Sequence, residues 1–163
     1  MATRTYSNET IEVYWDSSRC IHTGVCLDGY RDVFDVAVRP WIRLQGADAD
    51  HVAATITACP SGALAYRRLD GGQDEAPEIP ATIIPWPNGP YFARGDLRVE
   101  DRHGEVFAVG PRATLCRCGS SKNQPFCDLS HREVGFRSYP QALSEGRKSA
   151  EAPSDIGTRL DVE

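Results

Sequence analysis

Cys116-Arg117-Cys118-Gly119-Ser120-Ser121-Lys122-Asn123-Gln124-Pro125-Phe126-Cys127-Asp128-Leu129-Ser130-His131 is the stretch that decides how this 163-residue chain is read. In extended backbone, side chains two apart point the same way, so Cys116 and Cys118 can grip one metal atom. Cys127 and His131 are four apart, which on a helical turn puts both on one face, and Asp128 is a good residue to start that turn. Two donor pairs on two pieces of backbone suit the two irons of a 2Fe–2S rhomb. Gly119, Ser120 and Ser121 can offer N–H and O–H donors to its sulfides, and Pro125 stiffens the return. Cys₃His is also a known zinc set, but a C-x-C pair strains a tetrahedral mononuclear centre. A Rieske centre needs two histidines, and His51 and His103 fall in an expected helix and a polar turn.

Working outward, residues 91–109 read as a run of short strands, and Ala113-Thr114-Leu115 leads directly into Cys116. Residues 70–80 hold four acids and no base, with Gly71, Gly72, Pro77 and Pro80, and read as an acidic linker. Residues 141–163 have few large apolar side chains and no aromatic, the composition of a disordered tail. The expected organisation is a first domain over 1–69, the linker over 70–80, a second domain over 81–140 and the tail. The six cysteines follow it: Cys20, Cys26 and Cys59 precede the linker, and Cys116, Cys118 and Cys127 follow it.

In the first half, Ile11-Glu12-Val13-Tyr14-Trp15 alternates and reads as a strand. A loop over 16–29 carries Cys20 and Cys26. A short helix is expected over 31–34 and a second strand over 40–44. From Asp48 the chain looks helical, with Asp48 or Asp50 as cap and Val52, Ile56 and Cys59 at helical spacing. Pro60 ends that helix, and residues 62–66 return as a strand beside the first. A tight loop with cysteines six apart can wrap backbone amides around a sulfide-bridged core, and the remote Cys59-Pro60 closes it. Thr23-Gly24 lets the backbone approach closely. The plain alternative is three buried thiols.

Residues 10–68, through VYWDSSRCIHTGVC, DVFD, RPWI and ACPSGALAY, resemble the divergent mono-cluster ferredoxins. Thr23 stands where bacterial ferredoxins place a middle cysteine. The resemblance implies a small ferredoxin-like α+β domain. It also implies either a 3Fe–4S cluster on Cys20, Cys26 and Cys59 or a 4Fe–4S cluster with Thr23, His22 or solvent as fourth ligand. Thr23 and Gly24 count as cofactor-binding. Residues 81–137 resemble the CDGSH iron–sulfur domain, through C-x-C-x2-S-x3-P-x-C-D-x-S-H together with Asn88-Gly89-Pro90. That resemblance implies a small β-rich domain whose 2Fe–2S cluster is held by Cys116, Cys118, Cys127 and His131, with Ser121 and Asp128 in the binding loop. It implies a homodimer as well. One departure is Leu129 in place of the family's glycine; a leucine favours negative φ, so a slightly altered turn is expected.

A net charge of −5 and pI near 5.4 argue against nucleic acid and membrane surfaces as partners. The N-terminus lacks the apolar core of a secretory signal, so a cytoplasmic location is expected. Cysteines in that compartment serve metals or redox chemistry rather than structural disulfides. No nucleotide motif, nucleophile elbow or acid–base pair stands out, which points to an electron carrier without a catalytic site of its own. Its redox partner would be a flavoprotein reductase or a redox enzyme. The alternative is cluster storage, transfer or redox/pH sensing through a labile, His-ligated cluster. Replacing a thiolate by neutral imidazole removes negative charge and should raise the second potential. Arg112, Arg117, Lys122 and Arg132 read as solvated cations beside the motif, and Trp15, Trp41 and Trp86 as core or interface aromatics.

Overall fold

The computed structural model describes residues 3–139; the expected tail lies outside the described residues. Two three-stranded antiparallel sheets carry the chain, with a few short helices between and after them. In the first sheet β2 (Ile11–Trp15) is central, flanked by β1 (Arg4–Ser7) and β3 (Leu64–Arg68). Ile11 and Val13 alternate inward and are fully buried, as period-2 patterning requires. The β1–β2 turn is closed by Asn8, whose Oδ1 accepts from the Thr10 and Ile11 amides at 2.9 Å. The strand expected around 62–66 is present, shifted to Leu64–Arg68.

Helix α1 (Val25–Gly29) starts inside the cysteine loop, and α2 (Ala49–Thr57) follows the Asp48 cap, which accepts from the His51 amide at 2.7 Å. Val52 and Ile56 of α2 are fully buried against the sheet, with Val33, Phe34, Ile42 and Leu64 in the same core. Two local expectations fail. Residues 31–34 form a turn rather than a helix, because the helix forms earlier, around Cys26. Residues 40–44 form no strand; Ile42 makes only an isolated bridge to Phe34, while Trp41 and Ile42 turn into the core.

The second sheet is a hairpin of two ten-residue strands, β5 (Tyr91–Glu100) and β6 (Val106–Leu115), edged by β4 (Thr82–Pro85). A register shift between Arg94 and Leu97 coincides with Gly95 at φ +130°, where a Cβ would come 2.5 Å from Ala81. The four-residue helix α3 (Ser130–Glu133) follows the cysteine loop.

The segment 70–80 contains no strand or helix, yet the halves it joins are packed together. Arg112 on β6 is 3 % exposed. Its Nη1 donates to the Ile56 and Cys59 carbonyls and its Nη2 to the Leu64 carbonyl at 3.0 Å. Nε and Nη2 clasp the Glu75 carboxylate at 2.6 and 2.7 Å. This corrects the reading of Arg112 as a solvated cation: it plugs the C-terminal end of α2 and its exit, where a cation meets unsatisfied carbonyls. Gly62 lies so close that a Cβ there would sit 2.3 Å from the Arg112 carbonyl.

Candidate metal centres

The first site is assembled from three places in the chain. Cys20 leaves the 3-10 turn Ser17–Arg19, Cys26 lies on α1, and Cys59 follows α2. All three line one cavity of about 370 Å³, with His22, Thr23, Gly24, Trp15 and Trp41 among its other walls. Gly24, at φ +79°, makes the left-handed step into α1 and faces Thr23 and Cys26 onto the same space. His22 also lines it, with Nδ1 3.9 Å from Cys20 Sγ.

Burial and the neighbouring Cys59 and Cys20 sulfurs push the Cys26 thiol up to about 11, and burial raises Cys20 as well. Thiols whose ionisation is resisted in this way, as at Cys20 and Cys26, become thiolates readily around a positive metal core. Two buried N–H donors have no partner among the described residues: the indole Nε1 of Trp41, which lines the cavity, and the Nε of Arg19, which lies outside its lining. A buried unpaired donor costs about 1–3 kcal/mol, so this wall is made for an acceptor. A sulfide-rich cluster is such an acceptor, and three thiols with the free Trp41 indole around one cavity fit it. Arg19 also stacks over Phe126, 5.1 Å from its ring centre, and donates to the Arg112 carbonyl at 2.8 Å.

The second site is local. Cys116 and Cys118 have their sulfurs 3.8 Å apart, and Cys127 Sγ lies 3.5 Å from His131 Nδ1. With metal–sulfur and metal–nitrogen bonds of about 2.3 and 2.0 Å, two donors on one tetrahedral metal stand about 3.8 Å (S,S) or 3.5 Å (S,N) apart. Both pairs have that spacing. Two such pairs, on two pieces of backbone, fit a two-metal core.

The loop is held from within. The Ser121 hydroxyl is buried and donates to the Phe126 carbonyl at 2.7 Å, so it shapes the loop rather than facing a sulfide. Asp128 accepts from the Ser130 amide at 3.0 Å and the Lys122 amide at 2.8 Å, and the Ser130 hydroxyl, followed by these amides, draws its carboxyl down to about 2. Ser120 and Leu129 amides point at the Cys118 and Cys127 sulfurs, each at 3.4 Å. Burial, then Arg132, lowers the His131 pKa, favouring the neutral imidazole a metal needs.

Cys127 and His131 do not share one continuous helical turn. Leu129 lies between them at φ +73°, and α3 begins only after it. The expectation that a leucine would change this turn is thus corrected. Leu129 takes the left-handed geometry itself, and its side chain packs with Ile21, Phe92 and Cys127, a contact that offsets the strain.

Fold and donor sets together define an iron–sulfur protein with two separate cluster-binding modules. Residues 6–69 match the family described as divergent 4Fe-4S mono-cluster, and residues 88–132 match the iron-binding zinc finger of CDGSH type. Over the first stretch the chain is 41% identical across 64 residues to "Uncharacterized protein YjdI" of Escherichia coli K12 and of E. coli O157:H7. That match spans 39% of this chain and 84% of each relative. The chain therefore belongs to the divergent 4Fe-4S mono-cluster family, with a CDGSH-type iron-binding domain in tandem.

Sequence reasoning missed Trp41 as a wall of the first site, and Arg19, Arg112 and Thr114 as the joint between the sites. For Trp41 a signal existed: it sits in the RPWI segment that carried the resemblance. For the others the partners are backbone carbonyls remote in sequence, which leave no pattern. No helix among the described residues is long and apolar enough to cross a membrane.

Proposed function

We propose that the protein is a two-cluster electron carrier. In it a ferredoxin-like module holds a 3Fe–4S or 4Fe–4S cluster on Cys20, Cys26 and Cys59. A CDGSH-type module holds a 2Fe–2S cluster on Cys116, Cys118, Cys127 and His131. The observation that carries this reading is that the two donor sets lie in modules packed directly on one another, with Arg112 binding the Cys59 carbonyl four residues before Cys116. Bound clusters supply one-electron redox chemistry.

The chain's own residues set the conditions for it. Trp15, Trp41 and Leu64 wall the first site with apolar surface and exclude water. Thr23 and His22, which line the same cavity, and solvent are the candidates for a fourth, non-cysteine ligand. His131 presents Nδ1 to the second site as a neutral donor where the other three positions carry thiolates, which raises the potential there. We further propose a one-electron donor or acceptor protein, such as a flavoprotein reductase, as partner, a cytoplasmic location and no catalytic site of the chain's own.

A second reading, release of the 2Fe–2S cluster to an acceptor protein, is favoured by one observation: His131, half-buried, sits on a four-residue helix and is followed by the exposed residues 132–135. An electron paramagnetic resonance redox titration tests the first reading. Two independent one-electron transitions, both retained after repeated cycling, are expected. A second cluster that leaves on oxidation favours the release reading instead.

A further inference from the structure

Thr114 stands where the two sites meet. It is 2 % exposed, and its hydroxyl donates to the Pro60 carbonyl at 3.2 Å. Its own carbonyl accepts from the Cys127 amide at 3.0 Å. Pro60 is bonded to Cys59, and proline has no N–H, so its carbonyl is the polar group it can offer here. A ligand cysteine of the first site and one of the second are thus joined by one peptide unit, one threonine and two hydrogen bonds.

We propose that one electron crosses between the two metal sites of the same chain through this relay, Cys59-Pro60 to Thr114 to Cys127. The proposal rests on the two-cluster reading above. Electronic coupling falls off less steeply along covalent and hydrogen bonds than across van der Waals gaps. The competing route runs from Cys20 along the chain to Ile21, which shares an apolar cluster with Phe92 and Cys127, and its crossing between the halves is a packing contact with no hydrogen bond. The relay is also dry and fixed. Arg112, two residues before Thr114, holds the Cys59 and Leu64 carbonyls, and Asn123 Nδ2 donates to the Ser18 carbonyl at 2.7 Å on the other side. A dry, rigid surrounding keeps the reorganisation that accompanies electron movement small.

The balance is simple. An outside one-electron donor, a reduced flavin or dithionite, reduces one site. That electron then leaves it and arrives at the other, so one site is reoxidised as the other is reduced. No bond forms or breaks.

The test uses the full chain with both sites loaded, checked by iron and sulfide content. After a substoichiometric pulse of photoreduced flavin, freeze-quenched paramagnetic resonance follows redistribution between the two signals. The spin–spin splitting of the fully paramagnetic state is read on the same samples. In the wild type the redistribution rate is expected to be independent of protein concentration. Thr114→Val keeps the shape and removes the hydroxyl; it should slow redistribution several-fold with both potentials unchanged and reduce the exchange part of the splitting. Thr114→Ser, which restores the hydroxyl, should restore both. A Thr114→Val protein that matches the wild type overturns the relay, as does a wild-type rate that rises linearly with concentration. The concentration test needs no variant, so a folding defect in Thr114→Val leaves the proposal open to refutation. A chain in which one site binds no cluster overturns the two-cluster reading and the relay together, whereas two loaded sites that exchange only by collision overturn the relay alone.

Discussion

The two sites are built in opposite ways. The second draws its four donors from one 16-residue stretch, and its loop is tied by its own members, Ser121 to Phe126 and Asp128 to Lys122 and Ser130. The first gathers Cys20, Cys26 and Cys59 from a loop, a helix and a helix exit spread over 40 residues. It is braced from outside: Arg112, Thr114 and Asn123 of the second half hold carbonyls at Cys59, Leu64, Pro60 and Ser18. The lesson is an asymmetry of dependence. Loss of the Arg112 clamp should harm the first site more than the second, although that side chain belongs to the second half.

Arg112→Met is the strongest way to break this comparison. It strands the Glu75 carboxylate and three backbone carbonyls inside the protein. Breaking a buried ion pair by removing one partner costs about 3–5 kcal/mol, and denaturant unfolding should show a loss of that order. Cluster content at the first site should fall before that at the second.

His131→Cys acts on the second site alone. In the folded chain the His131 pKa lies below its usual 6.5. Above that value the imidazole is neutral in both folded and unfolded chains, so it adds no pH dependence. As pH falls through 6.5 the unfolded chain takes up the proton first, and stability and ligation are lost together, further so down to the lowered folded value. Optical spectra across this window should show cluster loss in the wild type and a flat response in His131→Cys, with a lower second potential.

Leu129 sharpens the local side of the comparison. Both Leu129→Ala and Leu129→Gly lose the packing against Ile21, Phe92 and Cys127, but only glycine escapes the left-handed penalty of about 1–2 kcal/mol. The glycine variant should therefore unfold at higher denaturant than the alanine variant by roughly 1 kcal/mol in stability. The smallest expected effect is at Trp41. Trp41→Phe keeps most of the ring and removes an N–H that is buried without a partner, so the metal-free protein should lose little. With metal bound, loss of a donor to sulfur should lower the first potential only.

Legibility in the sequence follows the same asymmetry. The second site could be read because its donors are consecutive, and the spacing Cys116, Cys118, Cys127, His131 survives in three dimensions as two pairs. What spacing missed there was conformational: Cys127 and His131 meet across a left-handed Leu129, not along one helical turn. In the first half the central strand, the Asp48-capped helix and the returning strand were legible from alternation and capping. The strand expected over 40–44 was not formed, because Trp41 and Ile42 are apolar for the core and the cavity rather than for a sheet. The packing of the two halves was invisible. A Gly- and Pro-containing acidic segment reads as a spacer, and nothing in its composition shows that Glu75 is the counter-ion of Arg112.

Counting iron, zinc and acid-labile sulfide per chain in anaerobically purified protein, with a resonance spectrum of the same sample, tests the two-cluster account most directly. The account predicts about five or six irons and about six sulfides, with the spectrum distinguishing a 3Fe–4S from a 4Fe–4S centre at Cys20, Cys26 and Cys59. Zinc without sulfide, or about two irons with the first site bare, would contradict it.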